Sequence, residues 1–235
     1  MSKLLYTDKY DSNKTIREFD TMITAQGGDG TLLTAINKFR HLDKPFYGYA
    51  AGTVNFLMNK GQPSEDATII KTNLLKVEVS YGNTDWREGS YSTELVSGPI
   101  TETFEAFSDI NLGSFNGWIT FDCTHKDNQI GTFKGSSLVV STAQGSTGLN
   151  RNIGGTILAL DSKRWSVTGI ATNRFINSVI KPTKFKVDVE SRESVSIAID
   201  GTNHVLYNVQ SITITKGSSV EVIVNDLEEF QRKRQ

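Results

Sequence analysis

Residues 21–39 constrain this chain more than any other stretch. Thr21-Met22-Ile23-Thr24-Ala25 reads as a short buried strand, and Leu32-Leu33-Thr34-Ala35-Ile36-Asn37-Lys38-Phe39 places apolar residues at helical spacing. Between them lies Gln26-Gly27-Gly28-Asp29-Gly30-Thr31, a strand-to-helix turn with three glycines and one aspartate. Glycine opens backbone angles closed to other residues and lets a ligand approach the main chain. The N–H groups at the head of a helix form a ready anion site. A carboxylate beside such a site is unfavourable unless it has a task. Asp29 could accept a proton from a hydroxyl, hydrogen-bond a sugar or help hold Mg²⁺. The same residue types also make simple turns, so this segment alone leaves both readings open.

Taken in order, residues 3–7 form a candidate first strand and residues 12–19 a short polar helix or loop. Pro45 disfavours helix before it and ends the helix near His41. Phe46-Tyr47-Gly48-Tyr49-Ala50 reads as a second buried strand running into another glycine turn, Gly52-Thr53-Val54-Asn55-Phe56-Leu57-Met58. Strand, turn, helix, strand, turn marks a parallel α/β layer, with both glycine turns on one edge. Ser64, followed by Glu65 and Asp66, predicts a capped helix over residues 64–73. From Leu74 the texture changes. Leu75-Lys76-Val77-Glu78-Val79-Ser80-Tyr81 alternates as a half-buried strand does. Further strand-like runs lie at 115–121, 137–141, 166–170, 184–189, 194–199, 211–215 and 220–224, separated by turn residues, which suggests a β-rich second domain. The boundary is expected in the polar stretch 89–99. The charged tail 226–235 is expected to be a helical or frayed, solvated end.

At 235 residues the chain can bury roughly 70–75% of its unfolded surface and needs no staples. A net charge of −1 and a pI near 6.3 argue against a generic binder of nucleic acid or anionic membranes. The single cysteine, Cys123, excludes an internal disulfide and fits a reducing cytosol. His41, His125 and His204 lack metal-ligand spacing. The first residues carry no apolar signal core and no run reaches membrane length. A soluble, cytoplasmic protein is expected.

A second glycine cluster, Ser141-Thr142-Ala143-Gln144-Gly145-Ser146-Thr147-Gly148-Leu149-Asn150-Arg151-Asn152-Ile153-Gly154-Gly155, bears on what the first leaves open. With Gly27-Gly28-Asp29-Gly30-Thr31 it resembles the NAD kinase (ATP-NAD kinase) family. That family carries a GGDGT loop, then an Asn-acidic pair, then a Ser-Thr-Pro-Thr-Gly-Ser-Thr-Ala-Tyr segment ending in Gly-Gly. Order and spacing match across nearly the whole chain. Phe107-Ser108-Asp109 falls where the Asn-acidic pair belongs, and Phe133-Lys134-Gly135-Ser136-Ser137 where an Arg-Gly-Asp-Gly-like stretch belongs. Ala171-Thr172-Asn173-Arg174 and Asp200-Gly201 also have family counterparts.

The resemblance implies an α/β, Rossmann-like domain over residues 1–95 and an all-β, sandwich-like, NAD-binding domain over 96–221. The tail, 222–235, would return to the first domain, and the nucleotide site would lie between the two. The implied reaction moves the γ-phosphoryl of ATP (or polyphosphate) to the 2′-hydroxyl of the adenosine ribose of NAD, giving NADP. Positioning and charge neutralisation dominate such chemistry. Asp29 would be the general base. Gly28, Gly30 and Thr31 would offer main-chain N–H groups to phosphate. Ser108 and Asp109 would bind a ribose or amide group of NAD, and Gly145, Ser146 and Thr147 would line the nucleotide. Asn55, Phe56, Asn152 and Asp200 are further binding candidates; Asn152 could equally cap the helix expected to begin at Gly154-Gly155. Mg²⁺ would bridge the ATP phosphates, with no protein metal ligands assigned. A homodimer or tetramer is expected, with nucleotides as partners and neither nucleic acid nor membrane.

Departures from the family pattern bear on the pocket. Its asparagine is Ser108 here, its Pro-Thr is Ala143-Gln144, its Ala-Tyr is Gly148-Leu149, and the aspartate of its Gly-Asp-Gly stretch is Ser136. These changes leave Asp29 untouched and alter the nucleotide side. A catalytically weak nucleotide-binding protein of the same fold is therefore an alternative. Gly52-Thr53-Val54-Asn55-Phe56 also resembles the Gly-Thr-x-Asn-Asp loop of diacylglycerol and sphingosine kinases, although Phe56 replaces its acidic residue.

Overall fold

The computed structural model describes residues 2–51, 55–82, 99–114, 117–192, 194–201 and 204–234. The expected boundary at 95/96 and Gly52-Thr53-Val54 lie outside the described residues.

The N-terminal layer is built from β1 (Lys3–Thr7), β2 (Thr15–Glu18), β3 (Ile23–Gly27), helix α1 (Asp29–Phe39) and β4 (Phe46–Ala50). The stretch read as a polar helix or loop is in fact a strand. Thr15–Glu18 buries Ile16 and pairs antiparallel with both β1 and β3, and those two partners outweigh local preference. β3 and β4 run parallel, Ile23 opposite Phe46 and Gly27 opposite Ala50, so the chain leaves both strands at one edge. The Ala51 N–H donates to the Gly27 carbonyl at 2.8 Å, tying the end of β4 to the first glycine turn. α1 covers this sheet with Leu32, Ala35 and Ile36, all fully buried, on Ile16, Ile23, Ala25 and Phe46. Burying each of the large aliphatic side chains contributes about 1.5–3 kcal/mol.

The helix expected over residues 64–73 does not form. Ser64 to Ala67 make one turn, and a long strand, β5 (Thr68–Tyr81), begins at once. Its β-branched residues Thr68, Ile69, Ile70 and Thr72 pair antiparallel with the second half of an equally long last strand. That partner lies more than a hundred residues away, beyond the reach of a local reading.

The remaining strands are β6 (Ile100–Ala106), β7 (Asp109–Gly113), β8 (Ile119–His125), β9 (Asn128–Gly135) and β10 (Ser137–Ser141), then helix α2 (Leu149–Asn152). After it come β11 (Trp165–Ile170), β12 (Asn177–Ile180), β13 (Phe185–Glu190), β14 (Ser196–Ile199), β15 (His204–Leu206), β16 (Val209–Val224) and the closing helix α3 (Leu227–Lys233). Among the described residues the strands form two sheets. One runs β1-β2-β3-β4-β16-β13-β8-β9 with β5 beside β16 and β6 beside β5; the other runs β12-β11-β10-β7-β14-β15. The two enclose a sandwich core in which Val77, Phe121, Phe185 and Ile212 meet Leu112, Leu138, Val167 and Ile197.

β5 and β16 belong to both halves of the molecule. Beside the N-terminal layer β5 buries Ile70, Thr72 and Leu74; within the sandwich it buries Leu75, Val77 and Val79. The change of face coincides with an irregularity between Lys216 and Ser219 of β16, where extra residues shift the pairing. The fold is thus an α/β layer continuous with a β-sandwich, and the strand ends that carry the motifs face each other where the two meet.

Candidate functional site

The first turn is shaped by packing. Gly27 has φ +153, and a Cβ there would overlap the Thr31 side chain, which is buried over it. The Thr31 N–H donates to the Gly28 carbonyl at 2.9 Å. This corrects the expectation that Thr31 offers its amide to a ligand, because that donor is spent inside the turn. The amides of Asp29 and Gly30, next to the N-cap Gly28, head the helix and have no partner within it. A Cβ on Gly30 would meet nothing within 4 Å, so open space lies over this end of α1.

Asp29 joins the two glycine turns. Its Oδ2 accepts the Phe56 N–H at 3.0 Å and its Oδ1 the Leu57 N–H at 2.9 Å. Each oxygen keeps a second lone pair for a further donor. Burial raises its pKa; the amides of Leu57 and Phe56 and the charges of Arg234 and Lys233 pull it back down. Beside it, Asn55 is half-buried, and the Phe56 ring lies 5.5 Å from the Arg151 guanidinium. Phe56 therefore sits between Asp29 and α2.

Ser108 and Asp109 are held by Asp200. The Asp200 carboxylate accepts the N–H groups of Phe107 at 2.9 Å, Ser108 at 2.7 Å and Asp109 at 3.3 Å, and Asn37 of α1 donates to it at 3.0 Å. Asp200 adopts φ +48, a left-handed conformation that aspartate tolerates better than most residues. Its role here is to staple the 107–109 turn to α1. The Ser108 hydroxyl donates to Asp109 Oδ2 at 3.2 Å. Burial, and then the Asp200 charge, raise Asp109 to about 6. A cavity of about 640 Å³ lined by Arg40, Lys76, Glu105 and Lys216 reaches this network only through Asn37.

The second glycine cluster folds against that turn. Gly145 packs so closely that a Cβ would overlap the Ser108 carbonyl, and a Cβ on Gly148 would lie 3.9 Å from Asp109 Oδ2. Thr142 fixes the approach, its hydroxyl donating to the Phe107 carbonyl at 2.7 Å. Ser146 is fully buried. Its hydroxyl donates to the Ala143 carbonyl at 2.8 Å and accepts the Leu158 N–H at 3.0 Å. Ser146, expected to line the nucleotide, thus holds the loop from inside with its hydroxyl. Thr147 is buried, and Asn152 stands exposed as the last residue of α2. No helix begins at Gly154, where φ is +81, so Asn152 caps none.

Two residues of this assembly were not singled out from the sequence. Asn150, fully buried, donates to the carbonyls of Ser146 and Thr156 and accepts the hydroxyls of Ser166 and Thr168. No local pattern distinguishes it from the other asparagines of the cluster. Arg234 is 2% exposed although it closes a charged tail. A signal for a docked helix was present there: Asp226 precedes Glu229 at capping spacing, and Leu227 and Phe230 share a face. Asp226 does cap α3 through the Glu229 N–H at 2.9 Å, and Phe230 packs on Ile70, Leu160 and Val224.

Among the described residues, no group of three or more His, Cys, Asp or Glu is placed to hold a metal ion, and no helix is long and apolar enough to cross a membrane. No family model matches the chain. It is 28% identical over 185 residues to the NAD kinase of Wolinella succinogenes, which covers 77% of this chain and 62% of that protein. It is 27% identical over 202 residues to the NAD kinase of Finegoldia magna, covering 80% and 72%. The chain thus spans between about three fifths and three quarters of the length of these relatives. In fold it matches yeast NADH kinase complexed with NADH at a TM-score of 0.69 and 18% identity, over 88% of this chain and 62% of that one. It matches an NAD kinase from Archaeoglobus fulgidus in complex with ATP at 0.63 and 18%, over 88% and 78%. With the GGDGT turn, the Ser-Asp pair and the second glycine cluster brought to one place, the chain is similar in sequence and in fold to NAD kinases.

Proposed function

We propose that this chain is an NAD kinase, transferring the γ-phosphoryl of ATP to the 2′-hydroxyl of the adenosine ribose of NAD. The observation that carries the reading is Asp29, a partly buried carboxylate at a helix head with one lone pair spare on each oxygen. It is supported by the NAD kinase relatives and by fold neighbours that bind NADH and ATP.

Asp29 accepts the 2′-hydroxyl proton as that oxygen bonds to the γ-phosphorus. The bond from the γ-phosphorus to its bridging oxygen breaks, ADP leaves, and Asp29 returns the proton to solvent. A positioned base is worth about 10²–10⁴ in rate. The amides of Asp29 and Gly30 face phosphate, Ser108 and Asp109 take a ribose or amide group, and Gly145 to Gly148 wall the nucleotide. A divalent metal would enter as the ATP complex and belong to the substrate, as the family resemblance implies. The protein works as a cytoplasmic homo-oligomer, as the family resemblance implies.

The test is NADP formation from ATP, Mg²⁺ and NAD by the wild type and by Asp29→Asn. Turnover lost at least about a hundredfold in the variant supports the reading. A wild type that phosphorylates neither NAD nor NADH overturns it. One observation favours a second reading, a nucleotide-binding protein with altered ligand grip: the Ser108 hydroxyl is spent on Asp109. Calorimetric titration with NAD, NADP and ATP separates the two, since tight binding without turnover selects the binder.

A further inference from the structure

We propose that Arg234 is a positioning residue of the phosphoryl-transfer site, its guanidinium holding the Ala143–Ser146 turn in register with Asp29. The last helix then becomes part of the site. The inference rests on the NAD kinase reading for its chemistry, but its geometry stands alone.

Arg234 follows α3 directly. Its Nε and Nη2 both donate to the Leu158 carbonyl at 3.2 Å, and Nη2 also donates to Ser146 Oγ at 3.0 Å and to the Ala143 carbonyl. All these acceptors are neutral, and Nη1 is buried with no partner. Among the described residues no carboxylate lies in salt-bridge range of the guanidinium, and the one that acts on it is Asp29. Burial lowers its pKa to about 10, so it stays charged at neutral pH. A guanidinium buried among neutral acceptors costs stability unless its charge has a use. Phosphoryl transfer supplies one, because it depends on fixed positive charge and on loops held still. Ser146, gripped from one side by Arg234 and from the other by the Leu158 amide, sets Gly145, the residue before it, against Ser108.

The charge also bears on Asp29. The groups facing that carboxylate are the Phe56 and Leu57 amides, then Arg234 and Lys233 from the C-terminal segment; Arg151 of α2 lies behind Phe56. Removing Arg234 deletes one of the influences that keep Asp29 ionised against its own burial.

The experiment uses the full chain with Arg234→Met and Arg234→Lys. Folding is checked by thermal melting, Asp29 is titrated by carboxyl ¹³C NMR without substrate, and kcat, KM and the pH profile are measured with MgATP and NAD. R234M is expected to lower kcat about a hundredfold with a smaller change in KM, and to move the Asp29 titration and the acid limb of kcat/KM to higher pH. R234K keeps the charge and loses the planar grip, so kcat should fall at least about tenfold with the Asp29 titration in place. A folded R234M with wild-type kcat and unmoved Asp29 overturns the proposal. Should R234M not fold, R234K decides: wild-type kcat in that variant overturns it. If the wild type shows no NAD kinase activity, the Asp29 titration still decides whether Arg234 acts on that carboxylate, so the two failures remain distinguishable.

Discussion

Asp200 and Asp109 clasp each other across 91 residues of chain: the Asp109 N–H donates to Asp200 Oδ1 at 3.3 Å, and the Asp200 N–H donates to the Asp109 carbonyl at 2.9 Å. The backbone contacts that join the two turns also bring their carboxylates into one buried region. Both groups are raised, chiefly by burial, and Asp109 further by the Asp200 charge. Such a pair titrates as a unit.

The first prediction follows from the sign of that shift. Asp109 has a folded pKa of about 6 against an ordinary 3.8, so the folded state holds a proton that the unfolded state has released. Its unfavourable contribution is absent below about pH 4, grows as pH rises to 6, and is complete at pH 7, at about 3 kcal/mol. Asp109→Asn removes this term and lets an amide donor face Asp200. Urea unfolding should show the variant more stable than wild type at pH 7 and no more stable at pH 4, while NAD affinity by calorimetry falls.

Gly145 and Gly30 should respond oppositely to alanine. At Gly145 a Cβ overlaps the Ser108 backbone, so Gly145→Ala must push the 107–109 turn away, lowering both the melting temperature and nucleotide binding. At Gly30 the space is open. Gly30→Ala should keep or raise stability, by up to about 1 kcal/mol from helix propensity. A loss of ATP or NAD binding in that variant reports a ligand lying against the head of α1.

Asn150 supplies four hydrogen bonds from a fully buried side chain. Asn150→Ala strands two carbonyls and two hydroxyls, and each group left unsatisfied costs about 1–3 kcal/mol. A loss of about 3 kcal/mol or more is expected, which lowers the melting temperature of a chain this size by about 6–12 °C. Calorimetric melting checks it.

Asp29→Asn should separate rate from structure. Asparagine keeps one acceptor for the Phe56 or Leu57 amide and turns the other oxygen into a donor that meets an N–H. A stability loss of about 1–3 kcal/mol is expected, alongside a fall in kcat of at least about a hundredfold. Equal kcat in both proteins would remove Asp29 from the chemistry and leave it a loop clasp.

The sequence by itself determined the parts whose causes are local. The strand–turn–helix at residues 23–39, the parallel partner at 46–50 and the alternation of 75–81 follow from apolar period and from glycine, which act over a few residues. The order of two long glycine motifs carried the family resemblance, because such motifs record ligand contact more than fold. Tertiary structure decided what depends on distant partners. Residues 68–73 became strand because β16 offered a ladder along their whole length. Asp200 became the staple of Ser108 and Asp109, Ser146 turned inward, and Arg234 left its charged tail for the interior. A buried polar group takes its role from whichever donors and acceptors the folded chain places around it, and no sequence window contains them.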